Sequence, residues 1–170
     1  MWTRKLEGFS EELGKLQTSA TVDALWAVFR SCVTRLGVER ILIARGDSLS
    51  FVRDQICCTN VPLAELVRYE AGGVGVSPIR RLVSRSPEPI LVSKVKPVLA
   101  KSDALLTLFR SRAANDDLLI VPVRRHENLV ALGALSGPSA SFDSLTCAAL
   151  NIAVHAGVCR QEHLSAVPAR

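Results

Sequence analysis

Apolar residues recur every three or four positions at the start of the chain, then in short alternating or continuous runs through its middle, then at helical spacing again at the end. Leu6, Phe9, Leu13 and Leu16 give one apolar face to a helix over residues 4–17. Thr18, Ser19 and Thr21 break that pattern and offer N-caps. Val22, Leu25, Trp26, Phe29, Val33 and Leu36 then predict a second helix from Val22 to Leu36, with Gly37 placed for a left-handed C-cap. The period changes at Arg40. Arg40–Ala44 reads as a short strand, Gly46-Asp47 as a turn and Leu49–Cys57 as a second strand, together a hairpin. Pro62 opens a helix from Leu63 to Tyr69. Ala71–Val76 is a glycine-rich loop, and Ser77-Pro78 starts a helix running to about Ser84. Glu88–Ser93 is a third strand, followed by a helix from about Leu99 to Ala113. Asp117–Arg124 and Leu129–Ser136 are two more apolar strands joined by the polar turn Arg125-His126-Glu127-Asn128. The last helix runs from Ser141 to about His163 and is apolar over much of its circumference, which marks it for a core or a subunit interface.

The order ααββααβαββα with hairpin-linked strands predicts an α/β protein: an αβα sandwich with a central antiparallel five-stranded sheet flanked by helices on both faces. The 170 residues fit one domain, with residues 1–163 as its body and 164–170 as the start of a linker or tail. Apolar residues are 48% and charged residues 22%, a globular balance. No apolar run approaches the roughly 20 residues of a membrane span, and the N-terminus lacks the pattern of a signal peptide, so the expectation is cytoplasmic. The net charge of +5 is spread rather than gathered in a stripe, which suits a solvated surface better than a nucleic-acid interface. Five cysteines without a C-x-x-C read as buried reduced thiols, and no metal or cofactor is implied.

The middle of the chain carries a family resemblance. Residues 59–94, TNVPLAELVRYEAGGVGVSPIRRLVSRSPEPILVSK, resemble the pocket segment of LuxR-type quorum-sensing regulators. That family shows Thr-Asn-Tyr-Pro, then a Trp, a Tyr, Asp-Pro, an Arg-bearing helix and an aromatic-rich strand. Residues 116–137, DDLLIVPVRRHENLVALGALSG, resemble the hairpin that follows, and the order of elements agrees over most of residues 10–163. The resemblance implies a GAF/PAS-like autoinducer-binding domain. Its pocket, between the sheet and a helical layer, holds a small amphipathic ligand, typically an N-acyl-homoserine lactone.

Position by position, the pocket groups are changed. The first pocket Tyr falls on Val61, the Trp on Glu65, the Asp before Pro on Ser77, the strand aromatic on Val92 and the last-strand Ser/Thr on Ala134; only Tyr69 is kept. Each lost partner for a buried ligand amide or carbonyl costs about 1–3 kcal/mol, so ordinary acyl-homoserine lactones are expected to bind weakly. Three of these residues have a second reading. Glu65 faces either a pocket or water, Tyr69 is a ligand contact or a core residue, and Ser77 is a helix N-cap or a ligand acceptor. His126 is expected exposed in the hairpin turn, and His155 to be a core or interface histidine. No Ser-His-Asp or Cys-His arrangement supports an enzyme.

The family places a helix-turn-helix domain after the sensor, and nothing after Leu164 reads as one. The expectation is a sensor and dimerisation module of a transcription regulator, touching DNA only through a separate C-terminal domain and forming a homodimer or a heterodimer with another LuxR-type protein. The alternative is a stand-alone interaction module, an antiactivator that pairs with a full-length regulator. A GAF- or PAS-like sensor of another small molecule, or of redox state through Cys57-Cys58, is a third reading.

Overall fold

The computed structural model describes residues 2–46, 51–71, 83, 85–95, 108–109 and 115–166. Its elements are α1 (Trp2–Thr18), α2 (Val22–Arg35), β1 (Arg40–Arg45), β2 (Gln55–Thr59), α3 (Leu63–Ala71), β3 (Ile90–Leu91), a 3-10 turn (Val92–Lys94), β4 (Asp116–Arg125), β5 (Asn128–Pro138), a second 3-10 turn (Ser139–Ser141) and α4 (Ser144–Ala166). The chain divides into two compact units, Met1–Gly37 with Asp143–Arg170, and Val38–Phe142.

The first unit is helical. Thr21 is the N-cap of α2 and accepts from Ala24 N at 3.2 Å. Gly37 closes that helix with φ 94° and donates to Thr34 O, the left-handed C-cap that the sequence predicts. α1 meets α2 through a buried carboxylate: Glu12 lies 3.2 Å from the Arg35 guanidinium. α2 meets α4 at Trp26, whose indole Nε1 donates to the buried Gln161 Oε1 at 2.5 Å. A Cβ at Gly157 would stand 3.1 Å from the Trp26 ring, so the glycine in α4 is what admits the indole there. Trp26 packs edge-to-face on Phe29, with centroids 5.1 Å apart. Arg160 of α4 donates two bonds to Ser19 O, at 3.0 and 2.7 Å.

α4 differs from its prediction at both ends. It begins at Ser144 because Asp143 caps it, accepting from Thr146 N at 2.8 Å. It continues to Ala166 through Leu164-Ser165-Ala166, residues expected to start a tail, because none of the three breaks a helix. From Ser144 to Cys159 it carries no Asp, Glu, Lys or Arg. One stripe, including Leu150, Val154, Gly157 and Val158, is buried, while Leu145 and Ile152 stand 43% and 48% exposed with Ala148 and Cys159 beside them. Among the described residues no helix is long and apolar enough to cross a membrane.

The second unit is built on a five-stranded sheet in the order β2-β1-β5-β4-β3, antiparallel throughout. β4 and β5 form its longest hairpin. Their two-residue loop starts at His126, exposed and left-handed at φ 56°, and a register shift follows Val123. Both faces are buried: Leu42, Leu118, Ile120 and Leu132 on one, Ile41, Ile43, Leu119, Val121 and Leu135 on the other. That explains why β1 and β4 read as continuous apolar runs rather than alternating ones.

Two strands are shorter than the sequence predicts. β2 starts at Gln55, not Leu49, because Phe51–Asp54 form a turn that sends the Phe51 ring inward while Arg45 N donates to Asp54 O. β3 ends after Leu91, not Ser93, because the buried Asp117 carboxylate takes Ser93 N at 3.1 Å and the chain winds into a 3-10 turn. The predicted helices over residues 77–84 and 99–113 fall mostly outside the described residues; Val83, Arg85, Leu108 and Phe109 are helical.

Candidate ligand site

A single row of side chains crosses one face of the sheet. Cys58 of β2 pairs with Leu42 of β1, Leu42 with Ala134 of β5, Ala134 with Ile120 of β4, and Ile120 with Ile90 of β3. Period-two alternation puts Ala44, Leu132 and Leu118 on the same face. Over this row lie Val61, Leu66 and Tyr69 from the β2–α3 segment, Phe51 from the turn before β2, Val92 from the 3-10 turn, and Val83, Leu108 and Phe109; together they form one buried cluster.

Local chemistry sets each contributor in place. Asn60 adopts φ 57°, a conformation that asparagine tolerates, and its side-chain Nδ2 donates to Glu39 O at 2.8 Å. This corner turns the chain from β2 into α3 and delivers Val61 inward. Glu65 N and Leu66 N both donate to Pro62 O, starting α3. The spacing of three between Leu66 and Tyr69 then points both side chains at the sheet. Arg124 donates to Val83 O at 3.0 Å, Ser86 O at 3.4 Å and Glu127 O at 2.8 Å, and Arg40 donates to Leu108 O at 2.9 Å. These arginines hold backbone carbonyls at the rim. Arg124, one of the spread charges expected to suit a solvated surface, is therefore structural.

Four of the six residues singled out from sequence come together here. Val61, Tyr69, Val92 and Ala134 are all buried members of the cluster. Glu65 does not join them. It lies on the exposed side of α3, one residue and therefore about 100° around the helix from Leu66. Ser77 lies outside the described residues. Phe51 and Glu70 went unnoticed in the sequence. Phe51 was absorbed into a predicted strand, although an isolated aromatic among Ser, Arg and Asp was a signal. Its ring sits 5.9 Å from the Tyr69 ring at 35°, and the next residue's amide, Val52 N, donates to Glu70 Oε1 at 2.6 Å.

The cluster offers little polarity. Among its described members no side chain is charged, and the polar groups are the Tyr69 hydroxyl and, at its margin, the Cys58 thiol. Burial raises the Cys58 thiol above its ordinary pKa, against a smaller lowering by a backbone hydrogen bond at Val61, so it is a neutral, weakly hydrogen-bonding group at neutral pH. All five cysteines are free. Cys32 and Cys57 are buried, Cys58 and Cys147 half-buried, and Cys159, expected to be buried, is exposed on α4. The reason is that α4 is apolar over much of its circumference while only one of its stripes is covered in the described unit.

No protein-family model matches the sequence, and no curated protein matches it. Solved structures do match in fold. The chain is similar to CepR2, an N-acylhomoserine lactone dependent LuxR-family transcription factor from Burkholderia cenocepacia, at a TM-score of 0.62 and 16% identity, over 94% of this chain and 99% of that one. A GAF domain/HD domain protein from Geobacter sulfurreducens gives 0.58 and 14%, over 91% and 99%. The nlh2 GAF domain of A. aeolicus in an inactive state gives 0.51 and 12%, over 96% of each chain. The protein is an α/β chain with a GAF-like fold. That fold is similar to the one solved for a LuxR-family regulator.

Proposed function

We propose that this chain is the sensor module of a LuxR-type transcription regulator, holding a small, largely apolar ligand against the cluster face of its sheet and pairing with a second copy through α4. One observation carries this reading: Val61, Tyr69, Val92 and Ala134, distant in sequence, converge on one buried face of a GAF-like sheet. The neighbouring CepR2 is described as lactone-dependent. Here a lactone head group would meet Val61, Val92 and Ala134, with Glu65 turned to solvent. Each orphaned polar group of the ligand costs about 1–3 kcal/mol, which is about 5- to 150-fold in affinity per group. The favoured ligand is therefore less polar than a lactone. The reading involves no catalytic step, acts in the cytoplasm and leaves DNA contact to a separate domain.

The pairing follows from α4. Its exposed stripe repeats at seven-residue spacing, Leu145, Ile152 and Cys159, and is free of charge. An uncharged apolar face can meet its own copy across a two-fold axis without like-charge repulsion.

Two titrations test the ligand. N-phenyl-1-naphthylamine, an uncharged fluorescent probe, is expected to bind and to raise the melting temperature, as any ligand of the folded state must. N-acyl-homoserine lactones of increasing chain length are expected to show no submicromolar binding by calorimetry. Submicromolar binding of any lactone overturns the altered specificity, and a folded protein that ignores the probe overturns the sensor reading. For the pairing, Ile152→Glu is expected to turn a sedimenting dimer into a monomer; a monomeric parent protein overturns it.

A second reading, a ligand-free interaction module that pairs with a full-length regulator, is favoured by one observation: the Phe51 ring already lies inside the cluster. The same probe titration separates the two.

A further inference from the structure

Phe51 reaches the cluster in an unusual way. Its neighbours in the cluster come from strands, from the β2–α3 corner, from α3 or from other helical turns, whereas Phe51 belongs to the short turn Phe51–Asp54 at the surface, where Arg53 is exposed and Val52 half-buried. From that turn one ring goes inward and becomes 2% exposed. It rests against Tyr69, the one aromatic pocket group kept from the family pattern.

The turn is fastened to α3 by two consecutive residues on each side. Phe51 meets the Tyr69 ring at 5.9 Å, and Val52 N donates to the Glu70 carboxylate at 2.6 Å. The turn's other end is tied to β1 by Arg45 N donating to Asp54 O at 3.0 Å. The Arg53–Asp54 ion pair is internal to the turn and largely solvated, so it contributes little to docking.

We propose that Phe51 is a resident occupant of the ligand site and sets what that site accepts. A ligand enters by displacing the phenyl ring from Tyr69, and the Glu70 clip opposes that displacement. This rests on the sensor reading above and adds a ligand class to it: uncharged molecules that present a ring-sized apolar group. A charged or strongly hydrated group arriving where the ring leaves would be desolvated among Leu42, Leu66, Ile120 and Ala134, with no charged side chain among the described members of the cluster to compensate it. The apparent affinity of such a site is its intrinsic affinity scaled by the fraction of molecules with the ring withdrawn. A hydrogen bond to a carboxylate is worth enough that losing it raises that fraction about tenfold.

The test is a fluorescence titration of the parent protein, Glu70→Ala, Glu70→Gln and Phe51→Ala with N-phenyl-1-naphthylamine, with circular dichroism and cooperative unfolding as the check of folding. Glu70→Ala is expected to bind the probe about tenfold more tightly than the parent. Glu70→Gln, which keeps an acceptor oxygen, is expected to fall between the two, and Phe51→Ala to bind at least as tightly as Glu70→Ala. A purely structural role for these residues predicts equal or weaker binding in the variants. Equal or weaker probe affinity in folded Glu70→Ala overturns the proposal and leaves the sensor reading intact. Absence of binding in all four overturns both. If Phe51→Ala does not fold, the Glu70 pair decides alone.

Discussion

In the helical unit side chains join the helices to each other: Trp26 to the buried Gln161 between α2 and α4, and Glu12 to the exposed Arg35 between α1 and α2, with Arg160 of α4 on the backbone at Ser19 O. In the sheet unit, apart from the largely solvated Arg53–Asp54 pair, the side-chain bonds described reach backbone. Arg40 and Arg124 hold carbonyls, Asn60 holds Glu39 O, and Glu70 and Asp117 accept the amides of Val52 and Ser93. The difference is one of purpose. Bonds that cross a core fix which helix meets which, because a misplaced partner leaves a buried polar atom unsatisfied. Bonds to backbone at a rim fasten loops and leave the middle free of polar demand. The first arrangement makes a specific platform. The second ties loops down around an apolar cluster.

That contrast can be broken by core substitutions on each side. Phe29 is fully buried in the helical unit and belongs to no part of the sheet cluster. Phe29→Ala is expected to cost about 3–5 kcal/mol in denaturant unfolding with no change in probe affinity. Ala134 stands at the centre of the cross-sheet row, between Leu42 and Ile120. Ala134→Leu is expected to cost less, about 1–3 kcal/mol by overpacking, and to abolish probe binding. The reverse pattern would show that the two units do not divide the work as described.

A smaller effect comes from pH. Burial, with a further push from the Glu12 carboxylate, raises the Cys32 thiol from 9.0 to about 11. Below the lower value the thiol is neutral in the folded and the unfolded chain, and the stabilising difference is fully present. As pH rises from about 9 to about 11 only the unfolded chain ionises, so stability falls, by about 2–3 kcal/mol at the upper end. Denaturant titrations across that window are expected to show a steeper fall in the parent protein than in Cys32→Ala; identical slopes would remove Cys32 from the account.

The smallest effect sharpens the picture of α1. A Cβ at Gly8 or Gly14 meets nothing within 4 Å. Alanine at either position is expected to stabilise the helical unit by about 0.5–1 kcal/mol through helix propensity alone, seen as a higher midpoint of thermal unfolding with unchanged probe affinity.

Much of this was legible in the sequence where one physical rule acts alone. The 3.6-residue period of α1 and α2 and the β4–β5 hairpin needed only hydrophobic spacing and a polar turn. Rules in competition were harder to read. Phe51 counts toward a strand by propensity, yet its burial comes from a turn. Val92 follows two strand residues, yet Asp117 removes the next amide from the ladder. In α3, Glu65 and Tyr69 at a spacing of four and Leu66 and Tyr69 at three both describe a helix face, and only the surrounding fold selects the second. At the candidate site the resemblance brought Val61, Tyr69, Val92 and Ala134 forward, since motif order survives substitution. Phe51 and Glu70 lie outside those motifs, and their meeting depends on a turn that no local spacing encodes.

The Asp117 carboxylate has a consequence beyond placing Val92. By stopping the β3–β4 pairing after Leu91 it leaves the sheet with a two-residue border strand, next to a buried acidic side chain. A foreign strand approaching that border finds almost no continuous run of amides and carbonyls on β3 to zip onto. Self-templated growth into fibres is thereby discouraged at this margin of a sheet whose inner strands are largely apolar on both sides.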